Sequence, residues 1–160
     1  VDGEATGLGG ELAALLSVKS TQAKERGMRL AIESTGTVPA SAATDLVTVL
    51  GNLIDNALDA CAAGDRIVVA IVVTGGVVGG TVDDTGPGVP AELAASIFDE
   101  GVSTKGGSRR RGIGLALVRR ITRRYGGTAT VAASPTGGAR FTVTLPMAEV
   151  GPMTKDSVAG

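Results

Sequence analysis

The stretch RIVVAIVVTGGVVGGTVDDTGPG, residues 66–88, constrains the fold more than any other part of the chain. Residues 66–74 are rich in β-branched side chains, which suit a pleated surface, and they read as a buried strand. Gly75–Gly76 is a two-residue hairpin signal. A second strand, interrupted at Gly79–Gly80, then leads into VDDTGPG. A buried hairpin of this kind needs further strands beside it and a cover on one face.

The flanking sequence supplies both. ELAALLSVKSTQAKER, 11–26, places Leu12, Leu15 and Leu16 at helical spacing, and Gly27 stops that helix. MRLAIES alternates apolar and polar, which predicts a strand at about 28–34. Pro39 and Ser41 open a helix from about 42 to 62, with Ser41 as N-cap and Leu46, Leu50, Leu53, Ala57 and Cys61 on its core face. AELAASIF, 91–98, predicts a short helix, and 99–111 has no periodicity and reads as a mobile loop. GIGLALVRRITRRY, 112–125, is an amphipathic helix with Leu117 and Ile121 inward and arginines outward, ended by Gly126–Gly127. TATVAAS and ARFTVTL form a last hairpin across PTGG. The order α-β-α-β-β-α-loop-α-β-β has many hairpins and few βαβ units. It predicts an α+β two-layer sandwich: a mixed, mostly antiparallel sheet with helices on one face.

Composition narrows the chemistry. The chain has no histidine, which excludes histidine metal sites, histidine general bases and Ser-His-Asp triads. Cys61 is the single cysteine, so there is no internal disulfide and no cysteine-rich zinc site. Glycine is in surplus, 25 of 160 residues, and comes in bursts without a three-residue period. No apolar run approaches the ~20 residues of a membrane span. The first ten residues lack the basic start of a signal peptide. The chain reads as cytoplasmic in its chemistry.

A net charge of -1 conceals an asymmetry: residues 1–104 carry 5 basic and 14 acidic side chains, and residues 105–160 carry 10 basic and 2 acidic. Arg119, Arg120, Arg123 and Arg124 fall in the basic part. They form either a solvated helix face or a dock for an acidic partner.

Three constellations carry chemistry. In GNLIDNALDA, 51–60, Asn52 and Asn56 lie one turn apart on one helical face, and Asp59 continues the stripe. Such amides either face water or meet a hard cation that takes oxygen ligands and keeps waters and substrate phosphates, as Mg2+ does. In DDTGPGVP, 83–90, Gly86 and Gly88 flank a proline, and Asp84 stands just before the turn, where it can accept a hydrogen bond from an amino group. The alternative there is a plain Asp-Gly turn. In GVSTKGGSRRRGIGLAL, 101–117, Gly112 and Gly114 lie at a helix entry, where free N–H groups and the helix dipole favour an anion, with Ser103, Thr104 and Lys105 as further donors. A frayed Gly-rich loop would look the same. Neither a P-loop nor a Rossmann fingerprint is present.

The order and spacing of these motifs resemble the ATP-binding domain of sensor histidine kinases, the Bergerat-type nucleotide fold, across roughly 28–146. GNLIDNALDA is similar to the N box, DTGPG (84–88) to the G1 box, IFDEGVSTK (97–105) to the F box and GIGLAL (112–117) to the G2 box. The resemblance implies ATP and Mg2+ as cofactors. It assigns Asn56 to Mg2+ with Asn52 assisting, Asp84 to the adenine amino group, and Gly86 and Gly88 to close approach of the base. It places 99–111 as a lid with Thr104 and Lys105 at the phosphates. It gives Gly112, Gly114 and Leu115 to the phosphate-binding helix entry, and Phe98 to packing at the lid base. Asn56 and Lys105 are the implied catalytic residues. The segment LLSVKSTQAKERG resembles the end of the dimerisation hairpin in citrate- and C4-dicarboxylate-type sensor kinases. That implies residues 1–27 as the end of a dimerisation helix and its linker, 28–146 as the ATP-binding domain and 147–160 as a flexible tail. The implied partners are a His-bearing dimerisation domain of the same kinase and a response regulator, with dimerisation belonging to the full-length protein. No nucleic acid and no membrane contact by this segment are implied. In the common kinases a basic residue often stands at the position of Asp59.

Rivals exist. Topoisomerase, mismatch-repair and chaperone ATPases of this fold place a glutamate general base where this chain has Asn52, an amide that takes no proton at neutral pH. Anti-sigma-factor serine kinases typically carry a glutamate in the first half of the N box, absent here. A nucleic-acid module using the arginines would want stacking aromatics, and only Phe98, Tyr125 and Phe141 are available. A degenerate nucleotide-binding interaction module without transfer activity is the remaining alternative.

Overall fold

A computed structural model describes residues 7–99 and 109–147. In chain order the elements are α1 (Gly10–Glu25), β1 (Arg29–Thr35), α2 (Ala40–Ala60), β2 (Arg66–Thr74), β3 (Val77–Asp84), α3 (Arg109–Arg124), β4 (Ala129–Ala133) and β5 (Ala139–Pro146). The strands form one sheet in the order β1-β2-β3-β5-β4. Only β1 and β2 pair in parallel, joined by the α2 crossover; every other pair is antiparallel. All three helices pack on one face, α1 on β1 and α2, α2 on β3, and α3 on α2, β4 and β5. The α+β two-layer arrangement expected from the element order is therefore the one observed.

Alternation along the strands sets the layers. Ile67, Val69 and Ile71 of β2, Val78 and Val82 of β3, and Phe141, Val143 and Leu145 of β5 are all buried beneath the helices. From the helices, Leu12 and Leu16 of α1, Leu46, Leu50, Leu53 and Ile54 of α2, and Leu115, Val118 and Ile121 of α3 meet them in one core. The inward stripe of α3 is thus set by Leu115, Val118, Ile121 and Thr122, with Leu117 only partly buried. Phe98 is buried and meets Phe141 edge to face at 5.9 Å.

Helices α1 and α3 end in the same way. Gly27 and Gly126 take positive φ, and the next residue donates back to the last turn: Met28 N to Ala23 O at 2.8 Å, and Gly127 N to Thr122 O at 2.8 Å. These are Schellman ends, which need a residue free of a Cβ.

Four local expectations are corrected. β3 runs unbroken through Gly79–Gly80, because both residues pair with β2 on one side and β5 on the other. Ser41 is not the N-cap of α2; Pro39 occupies that place in extended backbone with no side-chain cap bond. The helix expected over 91–98 is a single 3-10 turn at Ala91–Leu93 followed by turns that bury Ile97 and Phe98 side by side. Helix α3 starts at Arg109 rather than at Gly112, so Gly112 and Gly114 lie inside its first two turns rather than at its entry. Most of the mobile loop expected over 99–111, including Ser103, Thr104 and Lys105, and the tail expected from 148 lie outside the described residues.

Candidate functional site

The face of α2 that carries Asn52 and Asn56 runs between two glycine contacts. At one end, a Cβ on Gly114 of α3 would stand 2.6 Å from Asn52 Oδ1. At the other, a Cβ on Gly86 would stand 3.0 Å from Cys61 Sγ and 3.6 Å from Ala60 O. Two turns of helix separate Asn52 from Ala60, about 12 Å, and Asn56 lies midway. The α2 stripe therefore runs from α3 at one end to the turn after β3 at the other.

The two amides differ in what they leave open. Asn52 Nδ2 donates to Thr48 O at 2.8 Å, which fixes the amide and turns Oδ1 toward Gly114. Asn56 is half-buried and has no hydrogen-bond partner among the described residues. An amide oxygen in that state is a suitable ligand for a hard cation that retains waters. Asp59 leaves the stripe and pairs with Arg26 at 3.7 Å. No group of three or more carboxylate or cysteine ligands occurs among the described residues, so any cation here would depend on amide oxygens and on the substrate.

At the far end, Asp84 is buried at 3% exposure. Its Oδ1 accepts from Gly86 N at 2.9 Å and Ala139 N at 3.2 Å. Its Oδ2 has no protein donor among the described residues. Burial pushes the carboxyl above its ordinary value, the two N–H groups pull it back, and nearby Asp65 and Asp83 raise it a little further. A buried carboxylate with one oxygen held and the other open suits recognition of an amino group. Gly88 holds φ +82, so the turn closes with a left-handed residue. Cys61, against Gly86, is pushed up to about 12, chiefly by burial and then by Asp84 and Asp65, which keeps the thiol protonated and inert.

Leu115 has its side chain in the core and its N–H within the helix ladder of α3, so the structure does not bring it to a ligand. Thr104 and Lys105 lie outside the described residues. Sequence reasoning missed the loop between β4 and β5. Thr136 Oγ1 donates to Asp84 O at 2.7 Å, and Gly138 lies against Asp84 so closely that a Cβ there would meet its Oδ1. The signal was the TGG run facing DDTGPG across the sheet, visible only once β3 and β5 are known to pair.

The arginine helix lines a separate concavity of about 510 Å³ with Phe98, Asp99, Arg119, Arg120, Arg123 and Arg124. It contains neither asparagine nor Asp84, and its charge is partly internal: Arg119 pairs with Asp99 at 2.6 Å and Arg124 with Asp45 at 3.2 Å.

Fold, amide stripe and recessed aspartate together define an ATPase-type nucleotide-binding domain. Residues 41–149 match the family described as "Histidine kinase-, DNA gyrase B-, and HSP90-like ATPase", and the chain belongs to it. Within that family its relatives are sensor kinases. It is 40% identical over 142 residues to the sensor protein CitS of Bacillus subtilis, covering 85% of this chain and 26% of CitS. It is 38% identical over 141 residues to the sensor histidine kinase DcuS of Escherichia coli K12, covering 84% of this chain and 26% of DcuS. The chain thus spans about a quarter of the length of these relatives. The structure of full-length ShkA in complex with AMPPNP superposes with a TM-score of 0.73 at 31% identity, covering 86% of this chain and 29% of ShkA. The chain therefore corresponds to the catalytic domain of sensor histidine kinases. No helix among the described residues is long and apolar enough to cross a membrane.

Proposed function

We propose that this domain binds Mg-ATP and presents the γ-phosphate to a histidine on a dimerisation domain outside these residues. The observation that carries the reading is the open Oδ2 of buried Asp84 at one end of a stripe whose middle amide, Asn56, has no protein partner. Asp84 accepts the adenine 6-amino hydrogen bond. Gly86 and Gly88 let the base come close to the backbone. Asn56 would hold Mg2+ through its amide oxygen, with Asn52, already anchored to Thr48, assisting directly or through a water. When bound, Mg2+ neutralises charge on the phosphates. The N-terminal turn of α3, up to Gly112, with Thr104 and Lys105, completes the phosphate end. Catalysis is then mainly positioning and charge neutralisation. The AMPPNP bound to ShkA supports an adenine nucleotide here.

Asn52 supports transfer over hydrolysis, because an amide cannot deprotonate water. The chain has no histidine, so in this reading the phosphoacceptor belongs to another segment and a response regulator receives the phosphate from it. α1, packed on α2, forms the junction toward the dimerisation helices, and the domain works at the cytoplasmic side of a membrane-anchored sensor.

The test is labelled ATP with the chain, with and without a His-bearing dimerisation domain of a citrate-type sensor kinase in trans. Label on that domain supports the reading. Free phosphate alone, or label on a serine, overturns it.

A further inference from the structure

Asp83 and Asp84 are adjacent on β3 and project to opposite faces of the sheet. Asp84 lies on the helix-covered face. Asp83 is held on the far side by three donors: Arg140 Nε to Oδ1 at 2.7 Å, Arg140 Nη2 to Oδ2 at 3.0 Å, and Ser134 Oγ to Oδ1 at 2.8 Å. Arg140 is the direct cross-strand partner of Asp83 in the β3–β5 register. Ser134 also accepts from Thr136 N at 3.1 Å, and Thr136 in turn donates to the carbonyl of Asp84. Ala139, the residue whose N–H reaches Asp84 Oδ1, immediately precedes Arg140. The loop 134–138 is thus fastened to β3 from both faces of the sheet at once.

We propose that Asp83, Arg140, Ser134 and Thr136 are positioning residues that hold the Asp84 carboxylate at the angle that recognises adenine. None of them touches the nucleotide. They act through the N–H of Ala139, which with Gly86 N holds Oδ1, and through the Asp84 backbone, which Thr136 anchors, so that Oδ2 is left without a protein donor among the described residues. The proposal rests on the adenine-site reading above and gives that site its base specificity.

The geometry is more than an ion pair would need for stability. The Arg140 side chain is 42% exposed while Asp83 is buried, so the pair both satisfies a buried carboxylate and fixes its direction. Asp83, at 8% side-chain exposure, collects a bidentate guanidinium and a buried hydroxyl. A bidentate fork fixes orientation as well as distance. An amino group at C6 of a purine donates to Asp84, whereas a keto oxygen there meets a carboxylate lone pair and is repelled. Loosening the clamp lets the carboxylate turn, so it weakens ATP and leaves inosine triphosphate unaffected.

The experiment is calorimetric titration of the full chain with Mg-ATP and with Mg-ITP. The variants are Arg140→Met, Ser134→Ala and Thr136→Val, each checked for native circular dichroism. The unaltered chain should prefer ATP by about tenfold or more. Each clamp variant should lose roughly three- to tenfold in ATP affinity while ITP affinity stays within about twofold. Thr136→Ser, which keeps the hydroxyl, should restore the preference. If ATP and ITP weaken together, or neither changes, the clamp is structural and the proposal fails. If the unaltered chain does not distinguish ATP from ITP, or Asp84→Asn keeps the preference, the adenine reading itself fails. Should Arg140→Met not fold, Thr136→Val decides alone, since it removes one hydroxyl and preserves shape.

Discussion

Two identical side chains stand next to each other at the end of β3, and the sheet treats them in opposite ways. Asp83 has both oxygens satisfied by Arg140 and Ser134 on the open face. Asp84 has one oxygen satisfied, the other open, and a carboxyl raised by burial on the helix-covered face. The difference teaches that residue type did not assign the roles. Strand alternation chose which aspartate faces the helices, and the partners across the sheet then made one a fastening and the other a recognition group.

The largest effect expected concerns Cys61, which shares the low-dielectric side with Asp84. With its thiol raised from 9.0 to about 12, it should alkylate with iodoacetamide on the order of a thousandfold more slowly in the folded chain than in urea. Rapid labelling of the folded chain would show that this side is wet and would erase the contrast.

Next comes Asp84→Asn. The amide keeps an acceptor for Gly86 and Ala139 but points a donor at the nucleotide amino group, so Mg-ATP affinity should drop about a hundredfold. The fold should be no less stable, because a buried charge is removed. Asp83→Asn should do the reverse for stability, costing about 1 kcal/mol in urea denaturation. Equal effects of the two substitutions on thermal or urea stability would break the comparison.

Asn56→Ala removes no described protein hydrogen bond. It should leave the melting temperature unchanged while lowering ATP affinity about tenfold in Mg2+ and not in EDTA. A loss of stability without a metal-dependent change in binding would contradict the role given to that amide.

The pH dependence is a finer test. The folded pKa of Asp84 lies above its ordinary 3.8, so the folded chain binds that proton more tightly than the unfolded chain. This group therefore favours folding as pH falls through its folded pKa, and its contribution is lost as pH rises through it. Binding of ATP through the ionised form runs the other way and weakens as pH falls through the same range, with Cys61 still protonated and Asp65 still ionised, its carboxyl being held low by Ala62 N and Thr85. Affinity should fall in acid before this aspartate costs the fold anything, and calorimetry across pH checks it. The smallest effect is expected at the surface. Arg26→Ala loses an exposed pair with Asp59 and a 3.3 Å hydrogen bond to Leu58 O, and should alter stability by no more than about 1 kcal/mol.

Much of the fold was legible because the elements carry local signals. The RIVVAIVVT run, Gly75–Gly76, and the glycines ending α1 and α3 state their own geometry, and the observed β2, hairpin and helix ends follow them. What failed depended on a distant partner. Gly79–Gly80 read as a break until β2 and β5 were seen to pair with both residues from either side. Asp59 looked like the next rung after Asn56 until Arg26 claimed it. Ser41 had the chemistry of a cap, but Pro39 already set the chain's entry into α2. The candidate site divides along the same line. Asn52, Asn56 and the DTGPG turn stood out by spacing within one segment, whereas Thr136, Ala139 and Arg140 acquire a role only through the pairing of β3 with β5.

The account turns on the open oxygen of Asp84, and a crystal structure of the chain with Mg2+ and AMPPNP examines it most directly. The account predicts the adenine amino nitrogen about 3 Å from Asp84 Oδ2, with the metal on Asn56 Oδ1. A base turned away from Asp84, or a nucleotide seated among the arginines of α3, would contradict it.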